Sequence, residues 1–259
     1  MRLILILLSL LAFSPAAQSY GGVGHVVFCQ MTYELVSPAT RQRLDAMVAE
    51  HPDYDSFGAI CSWADDIKSN DKWDWAKPHH YVNFERTQAQ VKADACPPQG
   101  CVLSAIQHHY SVLKNNPESW VALAFLAHFV GDLHQPMHVS FADDLGGNRA
   151  NLYYFDEERN LHWLWDTGML LRRNGEPPHA KAESLGQELE PLAPLQYSES
   201  LVLGWANESA AITRRIYSDY APQQRLGENY TAQYGPILEQ RMQMGAQRLA
   251  ALLDGIYQH

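Results

Sequence analysis

Along most of this chain apolar residues recur at helical spacing. The spacing predicts a helix over Val23–Leu35. Ser37-Pro38 reads as a cap followed by proline at the first helical position, opening a helix to Ala49. Helices are expected over Ser56–Ser69 and Val102–Lys114. Pro117-Glu118 opens a strongly apolar helix that runs through Leu133 and stops near Pro136. Leu161–Arg173 is helical again, and two long helices, Ser198–Tyr217 and Tyr230–Tyr257, close the chain. Strand character is scarce. His79–Glu85 reads as extended, and a short strand or hairpin falls near 151–155, over Asn151–Phe155. Asp143–Asn148 is a turn and Pro177–Pro194 is loop-rich. The expected fold class is mainly α. Short loops and metal-type residues scattered over the chain point to a single domain.

The first residues follow a different rule. After Met1-Arg2, Leu3–Phe13 is apolar with only Ser9 interrupting, and Ala17-Gln18-Ser19 is a small-x-small site. Charged start, apolar core and cleavage site together make residues 1–19 an export signal, the alternative being a buried first helix. The run is too short for a bilayer, which needs about 20 residues. Cleavage leaves a domain over 20–259 that begins with Tyr20, and the expected location is secreted or periplasmic. No other segment is apolar enough to be a membrane span. In an oxidising compartment the four cysteines can pair. Cys96 and Cys101 bracket Pro-Pro-Gln-Gly, a loop suited to a local disulfide, and Cys29 and Cys61 remain. Sequence alone allows three pairings, or two buried free thiols at Cys29 and Cys61.

Composition adds chemistry. The formal net charge is −10, which argues against a protein that coats duplex DNA by neutralising many phosphates. It does not exclude a phosphate substrate, because bound metal ions supply positive charge that no residue count contains. Twelve of the 259 residues are histidine. His128 and Asp132 stand four apart inside the most apolar helix, on one face and one turn apart. Polar groups there are costly unless they satisfy each other or bind a cation. His162 and Asp166 repeat the spacing among Trp163 and Trp165, and His138 follows the helix-breaking Pro136. Asp65 in Ser62-Trp63-Ala64-Asp65, His80, and His25 near the start of the mature chain are further candidates. Imidazole and carboxylate donors suit zinc better than iron–sulfur, copper(I), calcium or magnesium.

In these stretches the chain resembles the single-strand-specific zinc nucleases of the S-one/P-one type, or type I nucleases. The resemblance rests on Gly21-Gly22-Val23-Gly24-His25, Ser62–Asp65, His80-Tyr81-Val82-Asn83 and His128-Phe-Val-Gly-Asp132-Leu-His-Gln-Pro-Met-His138. It continues through Gly146-Gly147-Asn148, His162-Trp-Leu-Trp-Asp166, Trp205-Ala-Asn-Glu-Ser209, Pro236–Gln240 and Arg248–Ala251. Their order and spacing span nearly the whole mature chain.

The resemblance implies a mainly helical fold, related to zinc phospholipase C, that holds three zinc ions. One ion falls to Asp65, His80, His128 and Asp132, and a second to His138, His162 and Asp166. The third falls to His25, the amino group and carbonyl of Tyr20, and Asp132 as a bridge. His134 and His79 are neighbours rather than ligands, and His51, His108, His109, His179 and His259 are solvated or lie behind the site. A metal-activated hydroxide attacks phosphorus, Asp65 orients it, and Lys68 and Asn148 donate to the phosphoryl group. Tyr81 and Leu145 sandwich a base, and Asn83 bonds its edge. The implied activity is hydrolysis of single-stranded RNA and DNA to 5′-mononucleotides, together with 3′-nucleotidase activity, by a monomer. The chain departs from the family pattern in carrying Tyr20 for Trp, Lys68 for Arg and Asn83 for Asp.

Two other classes share part of this pattern. A zinc phospholipase C has a similar metal site but generally carries Glu at the last ligand position, where this chain has Asp166. A non-catalytic exported zinc-binding protein would not require Lys68 and Asn148.

Overall fold

The computed structural model describes residues 21–51, 53–172 and 177–258. Residues 1–19, expected to be an export signal, and Tyr20 lie outside the described residues.

Helix α1 (Gly21–Leu35) is followed by α2 (Pro38–Ala49), whose start is set by Ser37: its Oγ accepts the Thr40 N–H and Pro38 sits in the first turn. The expected helix over Ser56–Ser69 is instead three short turns, Phe57–Ile60, Trp63–Asp66 and Ile67–Ser69. One reason is long-range. The Cys61 carbonyl accepts a hydrogen bond from His128 Nδ1 at 2.7 Å, across the molecule. A tight 3₁₀ run, Asp71–His80, then leads into strand β1 (Val82–Phe84). The extended stretch therefore begins three residues later than its pattern suggested.

Helix α3 (Val102–Asn115) packs along α4 (Trp120–His134). Helix α4 starts at Trp120 rather than Pro117, because Ser119 Oγ is the side chain that accepts a first-turn N–H, from Ala122. Every residue from Ala122 to His134 is buried. A helix apolar on all sides needs neighbours on all sides. Here they are α1, α3, α6 (Glu199–Ser218) and α7 (Glu228–Tyr257). Helix α5 (Pro178–Gly186) occupies part of the region expected as loop; it lies against α1, and buried Lys181 pairs with Glu239 at 3.1 Å.

The strands are short. After α4 a turn, Pro136–His138, feeds β2 (Val139–Phe141), which pairs in parallel with β1: Val82 faces Val139 and Phe84 faces Phe141. The short strand or hairpin expected near 151–155 is a hairpin that runs further, of β3 (Asn151–Tyr154) and β4 (Glu157–Asn160), and β5 (Arg225–Leu226) joins β3 in parallel. The segment Leu161–Arg172 is helical with a π-turn at Leu164–Gly168. Such turns often mark functional positions, and this one carries Asp166. Both disulfides, Cys29–Cys61 and Cys96–Cys101, are formed. Among the described residues no helix is long and apolar enough to cross a membrane.

Candidate metal centre

Helix α4 supplies His128 and Asp132 from one face, both fully buried. Helix α1 crosses it at Gly131, where an added Cβ would stand 3.2 Å from His25 Nδ1. That close approach places His25 Nε2 3.4 Å from Asp132 Oδ1 and stacks its ring on His128 with 3.6 Å between centroids. The end of the 3₁₀ run brings His80 Nδ1 to 2.9 Å from Asp132 Oδ2 and 3.1 Å from His128 Nε2. Asp65 Oδ1 lies 3.4 Å from His128 Nε2 and 3.8 Å from His80 Nδ1, held from outside by Lys68 at 2.5 Å. On the other wall, His138 Nε2 is 3.4 Å from Asp166 Oδ1 and His162 Nε2 is 3.0 Å from Asp166 Oδ2.

The outward ring nitrogens are already used. His128 Nδ1 donates to the Cys61 carbonyl, His138 Nδ1 to that of His80, and His162 Nδ1 to that of Gly146. When neutral, rings so fixed turn Nε2 lone pairs, not protons, toward the carboxylates. Acceptors that face acceptors at 3.0–3.4 Å need a cation between them, a proton or a metal ion. Among the described residues the donor atoms form three groups that could hold a metal: His80, His128 and Asp132; His138, His162 and Asp166; and His25, Asp65 and His128. Imidazole nitrogens with carboxylate oxygens are a zinc-type donor set.

Electrostatics agree with the geometry. Burial lowers His128, but Asp132 and Asp65 raise it to about 10. Burial lowers His138, and Asp132 with Asp166 raises it to about 9. Burial and the charge of His128 push His25 down. His80 falls to about 3, through burial and then Lys68. Burial would raise the three carboxyls, yet neighbouring imidazoles hold them below the usual range: His128 for Asp65 and Asp132, His162 for Asp166. Three ionised carboxylates in one buried space demand positive charge.

Other expected residues take distinct places. Lys68, Tyr81, Asn83, Leu145 and Asn148 line one cavity of about 270 Å³ with His80, His138 and His162. Tyr81 is 42% exposed and Leu145 50%. Leu145 has φ 57°, a left-handed conformation, and an added Cβ at the adjacent Gly146 would meet the Met137 carbonyl at 2.7 Å. Asn148 Nδ2 donates to the Leu145 carbonyl at 2.9 Å. His134 uses both nitrogens elsewhere, donating from Nδ1 to the Val130 carbonyl while Nε2 meets Arg248 at 3.0 Å. His79 turns to the Gln99 carbonyl. His108 and His179 are exposed and His51 is half-buried; His259 lies outside the described residues. His109 is buried in the apolar core, stacked on Phe125.

Two residues in this region escaped the sequence reading. Gln135 is fully buried; its Nε2 donates to Asp166 Oδ1 and its Oε1 accepts the Met137 N–H. A polar side chain between Asp132 and His138 in an apolar stretch was the available signal. Lys77 also lines the cavity, and no periodicity marks it. Behind the turn, Ser209 Oγ donates to the Leu133 carbonyl, while Arg241 and Arg248 share Glu208.

Comparison with known proteins meets this geometry. The S1/P1 Nuclease family model matches residues 20–258. Endonuclease 3 of Arabidopsis thaliana is 27% identical over 93% of this chain and 90% of its own length. Nuclease S1 of Aspergillus oryzae is 32% identical over 65% of this chain and 60% of its own. Nuclease P1 of Penicillium citrinum is 29% identical over 66% and 65%. With a family match that runs through every segment contributing to the centre, the chain belongs to the S1/P1 nuclease family.

Proposed function

We propose that this chain, after removal of residues 1–19, is a secreted one-domain zinc nuclease. It hydrolyses single-stranded RNA and DNA to 5′-mononucleotides and removes 3′-phosphates from nucleotides. The supporting observation is the convergence of imidazole and carboxylate lone pairs beside a cavity that carries Lys68, Asn148 and an open aromatic face at Tyr81. Relatives named nuclease and endonuclease support the same reading.

The ligands we assign are Asp65, His80, His128 and Asp132 for one ion and His138, His162 and Asp166 for a second. His25, Asp132 and the first mature residue, Tyr20, are assigned to a third. Bound zinc would supply Lewis acidity toward water and phosphoryl oxygens at neutral pH. The side chains do the rest. Asp65, whose side chain is only 6% exposed, accepts a hydrogen bond from the attacking water and orients it toward phosphorus. Lys68 stands at the cavity edge, where its charge opposes that developing on the phosphoryl oxygens. Asn148 uses one N–H on the Leu145 carbonyl and keeps a second for substrate, since an amide carries two.

Single-strand preference follows from the cavity. Tyr81 and Leu145 offer faces for one base and Asn83 an edge partner. A paired base must leave its stack to enter, whereas an unpaired base enters cheaply.

The test is incubation of signal-cleaved, zinc-loaded protein with single-stranded oligonucleotides, with and without a chelator, and product identification by mass spectrometry. Chelator-sensitive release of 5′-mononucleotides is expected. Intact oligonucleotide with a protein carrying its zinc would turn attention to phospholipid headgroups.

A further inference from the structure

The cavity beside the centre carries two lysines, and the chemistry above uses one. Lys68, which pairs with Asp65 at 2.5 Å, is the one assigned to the phosphoryl group at the centre. Lys77 lines the same cavity from the 3₁₀ run, three residues before His80. Its partner is Asp74, at 2.6 Å, and both side chains are about half exposed (50% and 54%). An exposed ion pair of this kind is worth about 0.2–1 kcal/mol, so a phosphate can displace the carboxylate at little cost.

The surroundings point the same way. The chain has ten more acidic than basic side chains, yet among the described residues lining this cavity none is a carboxylate. The lining of this recess thus holds two lysines, each paired with a carboxylate that is not itself part of the lining. One phosphodiester at the centre occupies Lys68 and Asn148. Lys77 is then the lysine of this lining left for a further phosphate of a longer strand.

We propose that Lys77 forms a separate phosphate subsite, which takes an internucleotide phosphate flanking the one being cleaved. The subsite rests on the nuclease reading and deepens it: the preferred substrate is an oligonucleotide rather than the smallest compound with a scissile bond. Asp74 holds Lys77 in place when the subsite is empty and competes with phosphate for it.

The experiment compares a dinucleoside monophosphate, which has no flanking phosphate, with a trinucleoside diphosphate, which has one. The zinc-loaded wild type should show a KM for the longer compound roughly two- to fivefold lower, the worth of one exposed charge pair. In Lys77→Met the ratio should collapse to about one. The slope of log KM against log salt for the longer compound should fall by about 0.7, the value for one phosphate contact on a single strand. Lys77→Arg should restore the discrimination, and Asp74→Asn should enlarge it. A wild type that cleaves both compounds while Lys77→Met keeps its ratio overturns the subsite alone. An equal rise of KM for both compounds also overturns it, placing Lys77 at the scissile phosphate. A wild type that releases no nucleotide from either overturns the nuclease reading and the subsite with it.

Discussion

Asp132 turns one carboxylate oxygen to His25, at 3.4 Å, and the other to His80, at 2.9 Å. The two imidazoles come from segments 55 positions apart in the chain, His25 and His80, and Asp132 stands between them. Asp132→Asn therefore disturbs both sides at once, whereas His25→Ala removes one partner. Asp132→Asn should retain fewer zinc ions per chain than His25→Ala and lose at least about a hundredfold in kcat. Metal analysis of the two purified variants decides it. Equal zinc content and equal residual rate would remove Asp132 from the shared position.

Gln135 has both ends of its amide engaged, at Asp166 and at the Met137 N–H, so the orientation of Asp166 depends on it. Groups that orient a ligand typically contribute 10–100-fold to metal affinity. Gln135→Met keeps the volume and removes both hydrogen bonds. Competition against a calibrated chelator should show one zinc bound about 10–100-fold more weakly, with the others retained. Unchanged affinity for every ion would make Gln135 a packing residue.

The two disulfides should differ in worth. Cys29–Cys61 closes a separation of 32 residues and Cys96–Cys101 one of 5. In the chain-entropy account the first contributes about 4 kcal/mol and the second about 2. Replacing each pair by alanines and measuring denaturant unfolding should rank them in that order. The reverse order would mean that native packing, not loop closure, sets their value.

His109 supplies a pH dependence independent of the centre. Burial, then the nearby His108 and His79, lowers it to about 3. The unfolded chain takes up this proton near 6.5. Between those values the unfolded state binds a proton that the folded state refuses, so stability present above 6.5 is lost as pH falls toward 3. The slope is at most about 1.4 kcal/mol per pH unit. His109→Phe, next to Phe125, removes the titration, and its Tm should fall less than that of wild type between pH 7 and 5. Parallel Tm curves would assign the acid sensitivity to other groups.

Much of the fold could be read from local signals, because those signals are physical. Ser37-Pro38 starts a helix whatever surrounds it, and the i,i+4 pairs His128–Asp132 and His162–Asp166 share a face on any helix. The strand pair Val82–Phe84 with Val139–Phe141 joins residues 57 positions apart, and three-residue strands have too little pattern to declare themselves. The break after Ile60 depends on a bond from His128 to the Cys61 carbonyl, a partner that local sequence does not contain. Pro178–Gly186 was legible only as loop, because its buried face is mostly Lys181 and Ala182 and its polar partner Glu239 is distant. Lys77 was invisible for a similar reason: a lysine among polar residues declares a role only when a cavity stands beside it.

Cys61 accepts the hydrogen bond that fixes the His128 ring and is covalently tied to Cys29, one turn beyond His25. That clasp needs an oxidant to close. In a cytosol whose thiols are kept reduced, the two sulfurs stay apart and the wall is held by packing and that hydrogen bond. The bond thus makes the firmness of this wall depend on the redox state of its surroundings.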